Sequence, residues 1–308
     1  MSARSATSSQ RPHVRNAISV CIVCRNEADK LGPCLASVRW ADEVIVLDLS
    51  STDESAEVAR RHGARVVTHD PVPVVEWARN RVAEEASGEW IFALDPDERV
   101  TDGLAAELDR LRDRTDFDAV AIPVMNFDFG YPATHPLHRY DPKPRFYRRS
   151  AIGWPTFPNA LPVIPTERLL ELPRTDELVI VHERNRNIVE AVDRVMRYAP
   201  AQAQAMIDAG EIFTARRMLA VLSGKIYKQF VYGRAFRDGV PGVIRAGTLV
   251  AFHFYVWAAF WHQSGARRTP ADDRLLRRLD RTLESLHRVA RAVLLTLLRA
   301  RRSLSRLR

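Results

Sequence analysis

The sequence predicts an α/β fold, a mostly parallel sheet flanked by helices, followed by a helical part that associates with a membrane. Three observations carry this. Four short apolar runs alternate with helical patterns through the first hundred residues. The residues just after three of those runs are polar, and two of the three groups are rich in carboxylates. An uncharged aromatic segment then precedes a helix patterned in Arg and Leu at the far end. With 308 residues, 46% hydrophobic and 27% charged, the chain can bury a sizeable core. That composition excludes disordered, collagen-like and disulfide-scaffold proteins.

The apolar runs are Ile18–Cys24, Val44–Leu47, Ala64–Val67 and Trp90–Leu94. Helical patterns fall between them at Pro33–Val38, Glu54–His62 (ended by Gly63) and Val75–Ala86 (ended near Gly88). Short apolar strands joined by helices imply a parallel sheet covered on both faces. A helix near Asp102–Arg114 follows. The stretch from Asn126 to Leu172 is then dense in Pro, aromatic and basic residues, and its proline spacing argues against long helices and central strands. It is expected to wrap the mouth of the sheet or to form a surface excursion. Val179–His182 reads as a short strand, Ile188–Ala209 and Thr214–Tyr232 as helices, and Asp238–Gly242 as a turn broken by Gly and Pro.

Ala246–Trp261 carries no formal charge and six aromatic residues. It is short for a membrane span of about 20 residues and suits an interfacial or re-entrant position. The last helix, Asp272 to about Arg306, sets Leu and Val against Arg. The expected organisation is a disordered lead-in over 1–16, an α/β domain over 17–212, a helical membrane-proximal segment over 213–266 and a basic amphipathic helix over 267–308. The lead-in is Ser- and Arg-rich and lacks the apolar core of a secretory signal.

The net charge of +8 is unevenly placed. Residues 267–308 hold 13 Arg against four acids, and the other 266 residues hold 33 basic against 34 acidic side chains. A nucleic-acid enzyme would spread its positive charge over the working face of the fold. Here it lies beside the most apolar stretch, which favours anionic lipid and argues against a nucleic-acid partner. A second subunit packed on the same helix is the alternative, giving a homo-oligomer. Cys21, Cys24 and Cys34 cannot form a disulfide framework. Positions three apart on a strand point to opposite faces, so Cys21 and Cys24 read as packing residues suited to a reducing cytosol.

In an open parallel sheet, ligands bind outside the carboxyl ends of the strands. The groups there are Arg25-Asn26-Glu27, Asp48 to Asp53, and Asp95-Pro96-Asp97-Glu98. Asp95 and Asp97, two apart at a strand end, can reach one divalent cation, and hard oxygen ligands suit Mg²⁺ or Mn²⁺.

These residues resemble family 2 glycosyltransferases of the GT-A fold. Ile18–Glu27 is similar to that family's opening strand and Asn-Glu turn, and Trp40–Asp53 to its second strand and Ser-Thr-Asp loop. Trp77–Asn80 and Gly88–Val100 resemble its Arg-Asn helix and DxD segment. The wording "WADE" and "DxDERV" resembles the lipopolysaccharide-core glucosyltransferase-like branch. Arg145–Arg149 resembles that branch's "RLFRR" strand, and Asp238–Gly242 its membrane-proximal end. The likeness is strong over 18–102, patchy to about 262 and absent beyond.

The resemblance implies a metal-dependent, inverting transfer from a nucleotide-diphosphate sugar to a hydroxyl of a lipid-linked or cell-envelope glycan, at the cytoplasmic face of the membrane. It implies that Asn26 and Glu27 line the nucleoside pocket and that Asp48 and Asp53 bind base and ribose. Asp53 is also placed to cap the following helix. Arg79 would approach base or phosphates, Asp95 ribose or metal, and Asp97 the metal, with His182 as a further metal or diphosphate contact. Mg²⁺ or Mn²⁺ is the implied cofactor.

One departure matters. The branch carries a His-Glu pair after the "RLFRR" strand, where this chain reads Trp154–Ala160 with neither. The base that takes the acceptor proton therefore has no motif, and Glu98, Asp128 and Asp141 are its candidates. The gap also motivates a second reading, a catalytically weak member acting as a membrane-bound assembly partner. A nucleotidyltransferase would need a Gly-rich, cationic phosphate loop after the first strand, and Arg25-Asn26-Glu27 is not one.

Overall fold

The computed structural model describes residues 16–72, 75–135, 139–151, 153–155, 162, 164–265, 267 and 269–305, with side chains as far as 292. Strands β1 (Ile18–Cys24), β2 (Glu43–Asp48), β3 (Arg65–Thr68) and β4 (Trp90–Leu94) alternate with helices α1 (Ala28–Ala36), α2 (Ser55–Arg61) and α3 (Glu76–Glu84). The β3-β2-β1-β4 part of the sheet is parallel throughout. All seven residues of β1 are buried, as expected of a strand covered on both faces. Beyond β4 the sheet continues as β8 (Tyr140–Arg148), β6 (Ala119–Asp128), β10 (Ile180–Asn185) and β5 (Glu98–Val100). There β8 and β5 run antiparallel to their neighbours, while β10 and β6 pair in parallel. The short strands β7 (Tyr131–Pro132) and β9 (Leu169–Glu171) attach to β6.

Apolar side chains separate onto the two faces of the sheet. Leu31 and Leu35 of α1, Val58 of α2 and Leu104, Leu108 and Leu111 of α4 (Asp102–Leu111) cover one, and Ala78 and Val82 of α3 cover the other. Cys24 and Cys34 belong to the first layer and Cys21 to the second, and all three thiols are free and buried. Burial pushes the thiols of Cys21 and Cys24 up to about 12. A shared metal or dithiol at Cys21 and Cys24 is thereby excluded by geometry.

Three expectations change. Helix α1 begins at Ala28 and holds Pro33 inside it, since the Glu27 carbonyl accepts from Lys30 and Leu31 and Asp53 Oδ2 accepts from Ala28 N at 3.1 Å. Second, β8 lies between β4 and β6 although it contains Pro142 and Pro144. Its prolines fall where it is bordered only by β6, because β4 pairs no further than Phe92 with Phe146. A strand with one free side tolerates a missing N–H. Third, Asp238–Gly242 opens a helix instead of breaking one.

The remaining chain is helical: α5 (Ile188–Asp208), α6 (Ala215–Ile226) continuing through a π-turn at Tyr227–Tyr232, α7 (Gly239–Gln263) and α8 (Pro270–Ser305). Ala199, Ala203 and Met206 of α5 pack with Val256, Trp257 and Phe260 of α7 as a separate core. Arg245 and Thr134 both hold the Asp238 carboxylate, fastening the start of α7 to the loop after β7. Gly242 is required there, because a Cβ would sit 2.3 Å from the Ala235 carbonyl oxygen.

Candidate active site

The carboxyl ends of β1, β4, β6 and β10, together with β8, α5 and α7, enclose a cavity of about 560 Å³. Its β1–β2 edge is built from strained backbone. Asn26 and Ser50, at the ends of β1 and β2, have φ of 54° and 53°, an uncommon conformation for non-glycine residues outside turns and sites. Asn26 Oδ1 accepts from Thr52 N at 2.8 Å and Asn26 N donates to Ser51 Oγ at 2.9 Å, tying the two loops together. Asp53 accepts from Ser55 N (2.9 Å), Ser55 Oγ (2.5 Å) and Ala28 N. Burial raises its pKa, but these donors outweigh it and the net shift is downward. Asp53 thus fixes the starts of two helices. Asp48 is buried, accepts from Ser51 N at 3.2 Å and keeps Oδ1 without a hydrogen bond. Glu27 lines the cavity and pairs with Lys30 at 2.8 Å; burial raises its pKa.

At the centre Asp95 is held by two arginines. Arg79 Nη2 donates to Oδ1 at 2.7 Å, and Arg145 Nη2 donates to Oδ2 at 2.9 Å. Arg145 also reaches Glu98 Oε1 at 2.9 Å, while Glu98 Oε2 accepts from Asp95 N. Arg79 lies over the Trp154 ring, 4.7 Å from its centroid, and Asn80 pins Trp154 through hydrogen bonds to both its N–H and its carbonyl. Burial alone would raise both acids. For Asp95 the two guanidinium charges win and hold it well below the usual carboxylate range. For Glu98, fully enclosed, burial wins and the pKa rises.

Asp97 faces His182 and Arg194. Its Oδ2 is 3.4 Å from His182 Nε2 and accepts from Arg194 Nη2 at 3.1 Å. Burial opposes ionisation, yet His182 and Arg194 bring Asp97 down to about 2. His182 Nδ1 lies 2.8 Å from Asn126 Oδ1, and the Asn126 amide N–H points instead to the Val124 carbonyl at 3.5 Å. Nδ1 therefore carries a proton, and Nε2, buried and without a hydrogen bond, faces Asp97. A ring nitrogen oriented by an outer amide, beside a carboxylate, is the donor set of a divalent-ion site. Asp97 and His182 fit Mg²⁺ or Mn²⁺. Among the described residues no group of three or more His, Cys, Asp or Glu surrounds one point, so the other ligands would come from substrate and water.

Residues 19–163 match the family model described as Glycosyl transferase family 2. This is a family 2 glycosyltransferase domain. Its sheet, parallel at β3-β2-β1-β4 with mixed strands beyond, is of GT-A type. The chain is 40% identical over 84 residues to a TPR repeat-containing protein of Synechococcus elongatus, a match spanning 27% of this chain and 21% of that relative. It is 25% identical over 267 residues to the lipopolysaccharide core biosynthesis glycosyltransferase LpsC of Rhizobium meliloti, covering 84% of this chain and 97% of LpsC. Among solved structures it is similar to a mannosyltransferase from Pyrobaculum calidifontis in complex with GDP-Man and Mn²⁺. Identity is 17%, coverage 88% of this chain and 82% of that one, and the TM-score 0.45.

Within this glycosyltransferase domain and the helices behind it, the cavity gathers Glu27, Arg79, Asp95, Asp97, Asp141 and His182 from the expected residues. Asn26, Asp48 and Asp53 stand at the strand ends beside it. The three base candidates separate. Glu98 is enclosed behind Asp95 and bonded to Arg145, and Asp128 is buried against Asn185 Nδ2 at 2.6 Å. Neither is placed to reach an acceptor hydroxyl. Asp141 lines the cavity, 3.4 Å from Lys143 Nζ. Much of the Trp154–Ala160 stretch, from 156 on, lies outside the described residues. Sequence reasoning missed Arg145 as a site residue, and also Arg194 and Tyr198. The last two have a signal: Ala191, Arg194, Val195, Tyr198 and Gln202 share one face of α5 and all line the cavity.

Proposed function

We propose that the cavity binds a nucleotide-diphosphate sugar and transfers its sugar, with inversion, to a hydroxyl of a lipid-linked or cell-envelope glycan. The observation that carries this reading is the Asp97–His182 pair set between the β1–β2 edge and a wall of α7. Glu27, Asp48 and Asp53 shape the nucleoside end, with Arg79 beside the phosphates. Asp97 and His182 Nε2 would hold Mg²⁺ or Mn²⁺, which supplies charge neutralisation for the departing nucleoside diphosphate. Asp95 keeps Arg79 and Arg145 aligned through its two oxygens. Asp141 is the carboxylate placed to accept the proton of the attacking hydroxyl, since a general base must come within hydrogen-bond reach of it.

The acceptor side is apolar where α7 contributes Leu249 and Phe252. Among the described residues one helical stretch, Ala235–Gln263, is long and apolar enough to cross a membrane, with a mean hydropathy of 1.4. Its packing on α5 and α6 and its exposed Phe254, Tyr255 and Trp261 suit a helix lying in the interface at the cytoplasmic face. The similarity to LpsC agrees with an envelope acceptor.

Incubating purified protein with a panel of UDP-, GDP- and dTDP-sugars plus Mn²⁺ tests the reading. One donor should bind saturably and be slowly hydrolysed, and Asp97→Ala should lose turnover. Binding without any hydrolysis or transfer would favour the assembly-partner reading, and no binding of any donor would refute the transferase.

A further inference from the structure

Seven Arg and Lys side chains line the cavity, and two of them, Arg25 and Arg197, stand exposed to solvent. Arg79, Lys143, Arg145 and Arg194 each pair with a carboxylate. Arg184 also lines the cavity, yet its guanidinium has no hydrogen bond and no ion pair among the described residues. It is not a free surface charge either. Arg184 is half-buried. A guanidinium that lines the cavity with no carboxylate in contact is open to an anion there.

The backbone aims it there. Strand β10 pairs with β6 at His182–Asn126 and Glu183–Phe127, and next at Asn185–Asp128. Arg184 is the extra residue of a β-bulge, a device that re-aims a side chain and frees its peptide from the ladder. The freed carbonyl accepts from Arg194 Nη2, the same nitrogen that holds Asp97.

Its place in the sheet separates it from the nucleoside end. The nucleoside edge lies on β1 and β2, and β10 is four strands from β1 in the order β1-β4-β8-β6-β10, about 19 Å at the usual spacing. The charged groups acting on Arg184 are Asp128, Arg194, Asp141 and Asp97. Asp141 is the carboxylate assigned above to the acceptor hydroxyl.

The geometry points to an acceptor that carries an oxyanion, a phosphate or a carboxylate, close to the hydroxyl it offers, with Arg184 as the residue that binds it. This rests on the transferase reading of the same cavity and adds the acceptor's chemical class to it.

The test uses the full chain with Mn²⁺ and the nucleoside diphosphate found in the donor panel. Inorganic phosphate and acetate are titrated into the nucleotide-loaded protein by calorimetry, for wild type, Arg184→Gln and Arg184→Lys. Wild type should bind one of the two anions in addition to the nucleotide, and which anion it takes tells phosphate from carboxylate. Arg184→Gln should weaken that binding by about tenfold or more, the usual scale for losing a charge-assisted pair, and Arg184→Lys should recover part of it. Nucleotide affinity should stay within about twofold in both variants. Three results would overturn the inference: anions that compete with the nucleotide, Arg184→Gln weakening nucleotide as much as anion, or no second anion bound. If no nucleotide binds at all, the transferase reading fails by itself, and phosphate titrated alone still reports whether Arg184 is an anion site.

Discussion

Arg145 on β8 is 4% exposed and divides one nitrogen between Asp95 and Glu98, whereas Arg274, Arg277, Arg278, Arg281, Arg288 and Arg291 on α8 stand exposed beside Leu276, Leu279, Leu283 and Leu286. The charges around Arg145 are desolvated and mutually dependent. Those along α8 are exposed and open to salt. In the first, removing one partner strands another inside the protein, so effects are large and non-additive. In the second they are small and add up.

The largest expected effect tests the buried network. Arg145→Leu leaves Asp95 and Glu98 without their shared cation and should cost about 3–5 kcal/mol in denaturant unfolding. A loss below about 1 kcal/mol would show that the pair is not held as described. Next, Asp97→Ala should reduce donor turnover by about 100-fold, roughly 2.7 kcal/mol of barrier. Comparable turnover in the variant would remove Asp97 from the chemistry.

A pH titration sharpens the same half. Asp97 has a folded-state pKa of about 2 against an ordinary 3.8. Its ionised form therefore contributes stability that is complete above about pH 4 and is lost as the pH falls toward 2. The contribution is about 2 kcal/mol. Unfolding free energies of wild type and Asp97→Asn should converge over that window, and parallel curves would contradict the assignment. The smallest effects belong to α8. Each Arg→Gln there should weaken binding to anionic vesicles by about 1 kcal/mol, additively and less at high salt. Flotation unchanged after removal of residues 267–308 would move the membrane contact to α7 alone.

Much of the first half was legible because a strand covered on both faces writes itself as an unbroken apolar run, as at Ile18–Cys24 and Trp90–Leu94. The acidic strand ends were legible for the same reason, being the polar residues at which those runs stop. β8 was not, because its prolines are tolerated only where β4 has already ended, a fact of the sheet and not of the segment. The opening of α7 was obscured similarly, since Gly242 is there for the Ala235 carbonyl that crosses it. Asp95 and Asp97 could be named from their strand positions, and His182 from the family resemblance. Arg145 came with a motif but without a role, and the aim of Arg184 depends on a bulge that leaves no local mark.

The three cysteines have a practical consequence. None is exposed, two are held near 12 by burial, and they sit on both sides of one sheet. A thiol reagent can reach Cys21 and Cys24 only when the sheet opens and Cys34 only when α1 lifts from it, so labelling of the native protein measures the rate of those openings. Cys34 Sγ lies 3.5 Å from the Asp95 carbonyl, so its modification reports on the ground beneath the acidic pair. A nucleotide that closes the cavity should slow that thiol, giving an assay of occupancy that needs no knowledge of the sugar transferred.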